Sequence, residues 1–408
     1  MKKFSFLFIA NLIAAASKWV IIIIIAKVLS VDNVGAFSLA MAITAPIALF
    51  ASLRLRSLIV VRDSENNRDY YFIRKIFNIV SLVITLIVAF LFYQEYFILI
   101  TLVMLIKIND LNSELAYGYY QLKMEFNKLS RLIIFKQIFS LIVFVISLSI
   151  TKSLQISLLL QYLFQYTYFL IWERKDFLND SKHNPSRETQ KSIIKEGLPI
   201  GIGLYFITLN ASIPRFILEA KHGLEMLGYF SALAYFVVIG NILVNSLMQF
   251  LLGKISNLYI SNNFRTLRKV LFLFTPLFTV SLGVVILPLT IFFGEYFIAA
   301  FYGELYTEYL LVLVLLVIGF LLDSNSAIYD SVLLITKKIK VQFYLPMFLM
   351  VVSSIIGYIM INQYSIYGAA LTIIIVNLIQ LLIRGFFCNS ILKSNEQMEE
   401  LKLNLKNR

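Results

Sequence analysis

Residues 173–196 read ERKDFLNDSKHNPSRETQKSIIKE, and residues 197–218 read GLPIGIGLYFITLNASIPRFIL. The first stretch is polar and densely charged; the second carries one charge, Arg215, close to its end. An apolar run of about 17–25 residues bounded by polar punctuation is long enough to cross a bilayer as a helix. The same alternation recurs along the whole chain. Twelve such runs lie at roughly 5–29, 35–53, 76–94, 97–120, 132–150, 155–172, 197–218, 228–251, 270–293, 309–334, 341–361 and 366–388. They are too long and too evenly apolar for the strands of an outer-membrane barrel, and a helix satisfies its own backbone in lipid. Residues 173–196 form the longest interior loop and divide the runs six and six. The sequence therefore predicts an all-α polytopic membrane protein with twelve transmembrane helices in two six-helix lobes around a central cavity. The N-lobe is expected over 1–172, the inter-lobe loop over 173–196, the C-lobe over 197–392 and a tail over 393–408.

Composition leads the same way. Of 408 residues 60% are apolar and 14% charged, and the mean hydropathy is +0.83, whereas a soluble chain carries about a quarter charged residues. One cysteine, Cys388, allows no internal disulfide or cysteine metal site, and two histidines, His183 and His222, are too few for a histidine metal cluster. No G-x-x-x-x-G-K-S/T loop occurs, so nucleotide hydrolysis by this chain is not expected.

With the amino terminus inside, the interior segments hold 28 Lys plus Arg, the exterior ones hold only Lys152 and Lys221, and six lie within spans, out of 36. That bias places both termini in the cytoplasm. It also accounts for the net charge of +13 through an anionic inner leaflet, with no nucleic acid. Met1-Lys2-Lys3 and the small residues before Ser17 imitate a secretory signal, but cleavage after Ala16 would leave Trp19–Ala26 too short to span. Residues 5–29 are therefore read as one helix.

A six-and-six division suggests duplication. Gly35-Ala36-Phe37-Ser38 opens the second span and Gly228-Tyr229-Phe230-Ser231 opens the eighth, 193 residues apart. Parallel halves of this kind suit alternating access.

Ionisable residues inside spans cost at least about 2.5–3.5 kcal/mol at the helix centre and are functional candidates. The first span contains Lys18 and Lys27, the fourth Lys107, Asp110 and Glu114 at i, i+3 and i+7, the seventh Arg215, and the tenth Asp323 and Asp330. Lys18, Lys107 and Arg215 are the expected cations of a central cavity. Lys27, Lys136 and Arg384 lie towards span ends and are expected to snorkel to the interface. An internal Lys107–Asp110 pair is a second reading of those two residues. Tyr117, Tyr119 and Tyr120 read as an interfacial aromatic belt. Pro46, Pro199, Pro276, Pro288 and Pro346 are expected to bend their helices, and the glycines of GLPIGIG could make the seventh span a hinge. The tail from Lys393 reads either as a short surface helix or as a solvated segment.

GLPIGIGLYFITLNASIPRFILEA, a gap, then LGYFSALAYFVVIGNILVNSLMQ, echoed by KVLSVDNVGAFSLAMAITAPI, resembles the multidrug/oligosaccharidyl-lipid/polysaccharide exporter superfamily. The likeness is greatest to its bacterial polysaccharide (Wzx-type O-antigen) flippases. The resemblance implies a non-enzymatic transporter in the bacterial cytoplasmic (inner) membrane. It would move undecaprenyl-diphosphate-linked oligosaccharide from the inner to the outer leaflet, with membrane lipid, a polysaccharide polymerase and chain-length proteins as partners. It implies no cofactor beyond H⁺ or Na⁺ coupling, for which depth and charge make Asp110, Glu114, Asp323 and Asp330 the candidates. A diphosphate head group would be matched by Lys18, Lys107 and Arg215. A multidrug cation antiporter of the same superfamily would favour an acidic cavity with few cations. A lipid II flippase would carry two further helices, and a membrane-embedded polysaccharide polymerase would carry a large outer loop. The longest outer loop here is about 294–308.

Overall fold

The computed structural model describes residues 2–62, 67–179, 186–336 and 339–406; His183 lies outside them. Among the described residues all regular structure is helical. The helices are α1 (Lys2–Val28), α2 (Val31–Ser52), α3 (Leu55–Arg62), α4 (Asn67–Phe92), α5 (Phe97–Leu122), α6 (Phe126–Thr151) and α7 (Leu154–Tyr168). After them come α8 (Arg174–Asn179), α9 (Arg187–Ile260), α10 (Phe264–Lys269), α11 (Thr275–Tyr302), α12 (Leu310–Ile335) and α13 (Ile339–Lys406). Nine helical stretches among the described residues are long and apolar enough to cross a membrane. Isoleucine, valine and phenylalanine are exposed along α4, α6 and α11, as surfaces bathed in lipid require.

Helices continue through Pro46, Pro199 and Pro346, while α9 is interrupted at Gly223 (φ 82°) and α13 at Ser365 (φ 49°). Much of the expected inter-lobe loop is helical, since α8 and the first turns of α9 lie within it. The tail continues α13 to Lys406.

The helices group into two compact units, Met1–Ser231 and Ala232–Arg408. In the first, α5 packs against α2, α3, α4 and α7, and α1 lies along α6. The chain reverses between α2 and α3 through Leu53 (φ 45°) and Arg54 (φ 51°), left-handed conformations that cost of order 1 kcal/mol or more without glycine. A buried guanidinium supports the turn: Arg74, 1% exposed, donates from Nη1 to the Ala51 carbonyl (2.7 Å) and from Nη2 to the Ser52 carbonyl (2.9 Å). The last carbonyls of a helix lack intrahelical donors and carry its negative dipole end, so a cation there answers both. Gly197 and Gly201 lie against this turn, next to Leu53 and Phe50. Beyond it, Arg62 on α3 pairs with Glu196 and donates to Ser192 (2.8 Å) at the start of α9.

The two G-x-F-S segments meet each other within this unit. A Cβ on Gly35 would overlap the carbonyl oxygen of Leu224, and one on Gly228 would overlap that of Val31. The hydroxyls of Ser38 and Ser231 are hydrogen-bonded. Val31 and Leu224, Gly35 and Gly228, and Ser38 and Ser231 are all 193 residues apart. The contact is thus reciprocal, each segment presenting to the other the face it receives.

In the second unit α12 runs along α13, and the polar side chains of α13 meet α12 in a helically spaced ladder. Asn377 donates to the Gly319 carbonyl (3.0 Å) and Gln380 to Asp323 Oδ1 (3.1 Å). Arg384 donates to Ser326 Oγ (3.1 Å), and the Cys388 thiol to the Tyr329 carbonyl (3.3 Å).

The reciprocal contact predicts two outcomes. Gly35→Ala or Gly228→Ala should each destabilise the purified protein by about 1–3 kcal/mol, because a methyl group meets rigid backbone; thermal midpoints unchanged from wild type would refute the packing. Ser38→Cys combined with Ser231→Cys should form an internal disulfide under mild oxidation, read as two fragments held together after cleavage between residues 180 and 185.

Candidate functional site

The wall of a cavity of about 510 Å³ in the first unit is formed by α2, the α2–α3 turn, α3, α4, α5 and Leu204 of α9. Its charged residues are Arg54, Arg56, Arg74, Lys107, Asp110 and Glu114. The i, i+3, i+7 spacing read from the sequence puts Lys107, Asp110 and Glu114 along one stripe of α5, and the stripe faces this cavity. Arg54 and Arg56 arrive through the left-handed turn that Arg74 supports. Gly118 lets them come close: a Cβ there would lie 3.1 Å from the Arg56 carbonyl oxygen and 3.2 Å from its Cα.

These charges differ in how firmly they are held. Arg56 Nη1 lies 3.4 Å from Glu114 Oε1, its Nε donates to Gln121 Oε1 (3.2 Å), and its guanidinium lies 5.8 Å from the centre of the Tyr117 ring. Arg54 and Lys107 form no ion pair among the described residues. The Nε–H of Arg74 is buried without an acceptor. Four cations against two carboxylates leave the wall with a surplus of two positive charges.

Asp110 joins this wall to the helix packing behind it. Its Oδ2 lies 3.6 Å from Lys18 Nζ on α1, and its Oδ1 lies 3.6 Å from Lys136 Nζ on α6. Lys136 Nζ also donates to Ser113 Oγ (2.6 Å). The Ser113 hydroxyl and the Tyr117 hydroxyl (3.0 Å) in turn bond the carboxylate of Glu173, which is fully buried. The chain is therefore Lys18–Asp110–Lys136–Ser113–Glu173–Tyr117, crossing from α1 through α5 and α6 to the π-helical turn after α7.

Several sequence expectations change here. Lys136 does not snorkel: its side chain is 1% exposed, and Asp110 with Ser113 holds it inside. Asp110 takes Lys18 and Lys136 as its partners rather than Lys107. Arg384 turns inward, 3.3 Å from Asp330 Oδ1 on α12. Tyr117, Tyr119 and Tyr120 are core residues rather than an interfacial belt. Glu173 stood at the margin of a charged loop in the sequence, and nothing in the residue pattern signalled its burial. Arg54, Arg56 and Arg74 counted only as basic residues beyond the second span.

Of the expected site residues, Lys107, Asp110 and Glu114 line the cavity, and Lys18 reaches it through Asp110. Arg215, half-buried on α9 and bonded to the Ala211 carbonyl (3.4 Å), does not line it. Asp323 and Asp330 belong to the second unit, facing Gln380 and Arg384 as described above.

Residues 1–252 match the family described as "Polysaccharide biosynthesis protein". The chain belongs to that family. The chain is 30% identical over 395 residues to "Capsular polysaccharide biosynthesis protein CapF" of Staphylococcus aureus, spanning 95% of this chain and 98% of that one. Its fold is that of the MOP superfamily. The inward-facing conformation of a multidrug resistance MATE family transporter matches with a TM-score of 0.69 at 13% identity, over 96% of both chains. The outward-facing conformation of such a transporter matches with a TM-score of 0.59 at 14% identity, over 97% and 96%. The chain is a multi-pass membrane protein with the fold of these transporters, and the superfamily resemblance seen in the sequence holds.

The buried chain predicts a stability effect. Lys136→Met leaves Asp110 and Glu173 without their shared cation and should cost about 3–5 kcal/mol. Adding Glu173→Gln should restore part of the lost thermal stability. A single variant as stable as wild type would show that Lys136 does not neutralise this cluster.

Proposed function

We propose that this protein is a flippase that carries an undecaprenyl-diphosphate-linked oligosaccharide from the inner to the outer leaflet of the bacterial cytoplasmic membrane by alternating access. The observation that carries the reading is the surplus of two positive charges on the cavity wall. A diphosphate ester bears about two negative charges, and guanidinium groups bind phosphate oxygens in bidentate fashion. An acidic wall, suited to a cationic drug, is the alternative within this fold, and four cations against two carboxylates favour the anion. Kinship to a capsular polysaccharide biosynthesis protein supports a surface-polysaccharide substrate. The isoprenoid tail would remain in the bilayer while the sugar and diphosphate cross.

In this reading Lys107, with Arg54 and Arg56, contacts the head group, and Lys18 holds Asp110 at the edge of the site. Arg215 would meet the substrate elsewhere on its path. Coupling to H⁺ or Na⁺ would fall to Asp110, Glu114, Asp323 or Asp330. Counting α9 as two crossings about Gly223 and α13 as two about Ser365, and adding α7, would make twelve crossings; the reading sets them in two six-helix lobes with both termini cytoplasmic. A polymerase with its chain-length proteins would take the product on the outer side.

Depleting the protein should cause undecaprenyl-diphosphate oligosaccharide to accumulate on the cytoplasmic leaflet, measured by lipid extraction and leaflet-selective labelling. Re-expression of wild type should clear it, whereas Arg54→Ala combined with Lys107→Ala should not, at equal protein level. Full repeat units reaching the outer face in depleted cells would overturn the flippase reading. Normal clearance by the double variant would overturn the assignment of the cavity.

A further inference from the structure

The ion pairs of the first unit fall into two kinds. Away from the cavity, Arg62 grips Glu196 and Ser192 closely. On the cavity wall the pair Arg56–Glu114 stands at 3.4 Å, beyond the roughly 2.7–2.9 Å of a well-made charged hydrogen bond. Both partners reach the open space, Arg56 with 24% and Glu114 with 42% of the side chain exposed. The rest of Arg56 is well fixed: Gln121 takes its Nε–H, Tyr117 lies beneath the guanidinium, and Gly118 admits its backbone. Its Nη1 end is therefore the part that can change partners without moving the helix.

We propose that Glu114 is a resident anion that occupies Arg56 until the diphosphate head group displaces it, so that Glu114 and the substrate compete for one guanidinium. The inference rests on the flippase reading and adds the residue that sets affinity. An arginine surrounded only by cations would bind a diphosphate tightly and release it slowly. A carboxylate one side chain away gives the guanidinium a partner to return to, and return of Arg56 to Glu114 expels the anion. Binding and release then become one exchange between two acceptors. Lys107 and Arg54, which form no ion pair among the described residues, supply the standing attraction. Asp110 differs from Glu114: its pairs with Lys18 and Lys136 are no shorter, at 3.6 Å each, but it faces two cations, one of them buried, so loss of one contact does not free it.

The test uses the full-length protein in nanodiscs, with farnesyl diphosphate and inorganic pyrophosphate as binding probes and a fluorescent undecaprenyl-diphosphate sugar for transport in proteoliposomes. Glu114→Gln should tighten farnesyl diphosphate binding by about fivefold, the upper range for an exposed ion pair, and should slow transport. Glu114→Asp, which keeps the carboxylate but withdraws it by one methylene, should fall between wild type and Glu114→Gln in both. In an Arg56→Gln background, Glu114→Gln should shift nothing. Tightening confined to farnesyl diphosphate would mark the lipid-linked head group as the ligand; equal tightening for pyrophosphate would mark the phosphates alone, and either supports the exchange. If wild type binds diphosphate but Glu114→Gln does not tighten it, or tightens it equally without Arg56, the exchange is wrong and the flippase reading stands. If wild type binds neither probe and moves no lipid, both fail. Unchanged elution and thermal midpoint of Glu114→Gln exclude misfolding as the cause.

Discussion

Charge inside a lipid-bathed helix bundle must find opposite charge within reach, and Asp110 is where that requirement is met. Transfer of an ion out of water costs several kcal/mol even after relaxation, and it is offset only with good geometry and further hydrogen bonds. One carboxylate on α5 receives Lys18 from α1 and Lys136 from α6, and α1 and α6 are themselves packed along each other. Lys136 then continues to Ser113 and Glu173. Removing Asp110 would leave two lysines without their carboxylate, so this network fixes how α1, α5 and α6 are set against one another. The cavity wall, which uses the same α5 stripe at Lys107 and Glu114 on either side of Asp110, inherits that setting.

Close backbone approach is the second constraint. In a bilayer, helices gain little from hydrophobic burial against each other and rely on packing and polar contacts across small residues. Gly35 and Gly228 each meet a carbonyl of the opposite segment, and the two serines bond across. A pair of segments derived from one ancestor can do this reciprocally, because each offers both the notch and the carbonyl that fills it.

The sequence made the helical fold legible because lipid imposes a length and a hydropathy on every crossing. The G-x-F-S repeat was visible, as was the shared face of Lys107, Asp110 and Glu114, since both follow from spacing along one helix. The snorkelling of Lys136 and Arg384 failed for a common reason. Position within a span says how far a lysine or arginine is from water, but not whether a carboxylate on another helix lies nearer; Asp110 and Asp330 did. Arg54, Arg56 and Arg74 were hidden for the converse reason. They follow the apolar run and look like loop charges, yet the left-handed turn at Leu53 and Arg54 folds them back beside α5. A non-glycine left-handed turn has little sequence signature, and here its support comes from α4, more than twenty positions away.

The two units use similar groups to different ends. In the second, Arg384 and Gln380 on α13 are divided among Asp330, Asp323 and Ser326, so the cation there does not outnumber the carboxylates and the ladder holds α12 to α13. In the first, α5 carries the same kinds of residue, but cations outnumber carboxylates on the open wall. Surplus charge is worth most where the surroundings are poor in water, because an incoming anion there meets fields that bulk solvent would otherwise screen. The same surroundings would make such an anion hard to release. A carboxylate placed beside one of the cations lowers the affinity while leaving the attraction of the others intact, and Arg56 with Glu114 is the pair on that wall arranged to do so.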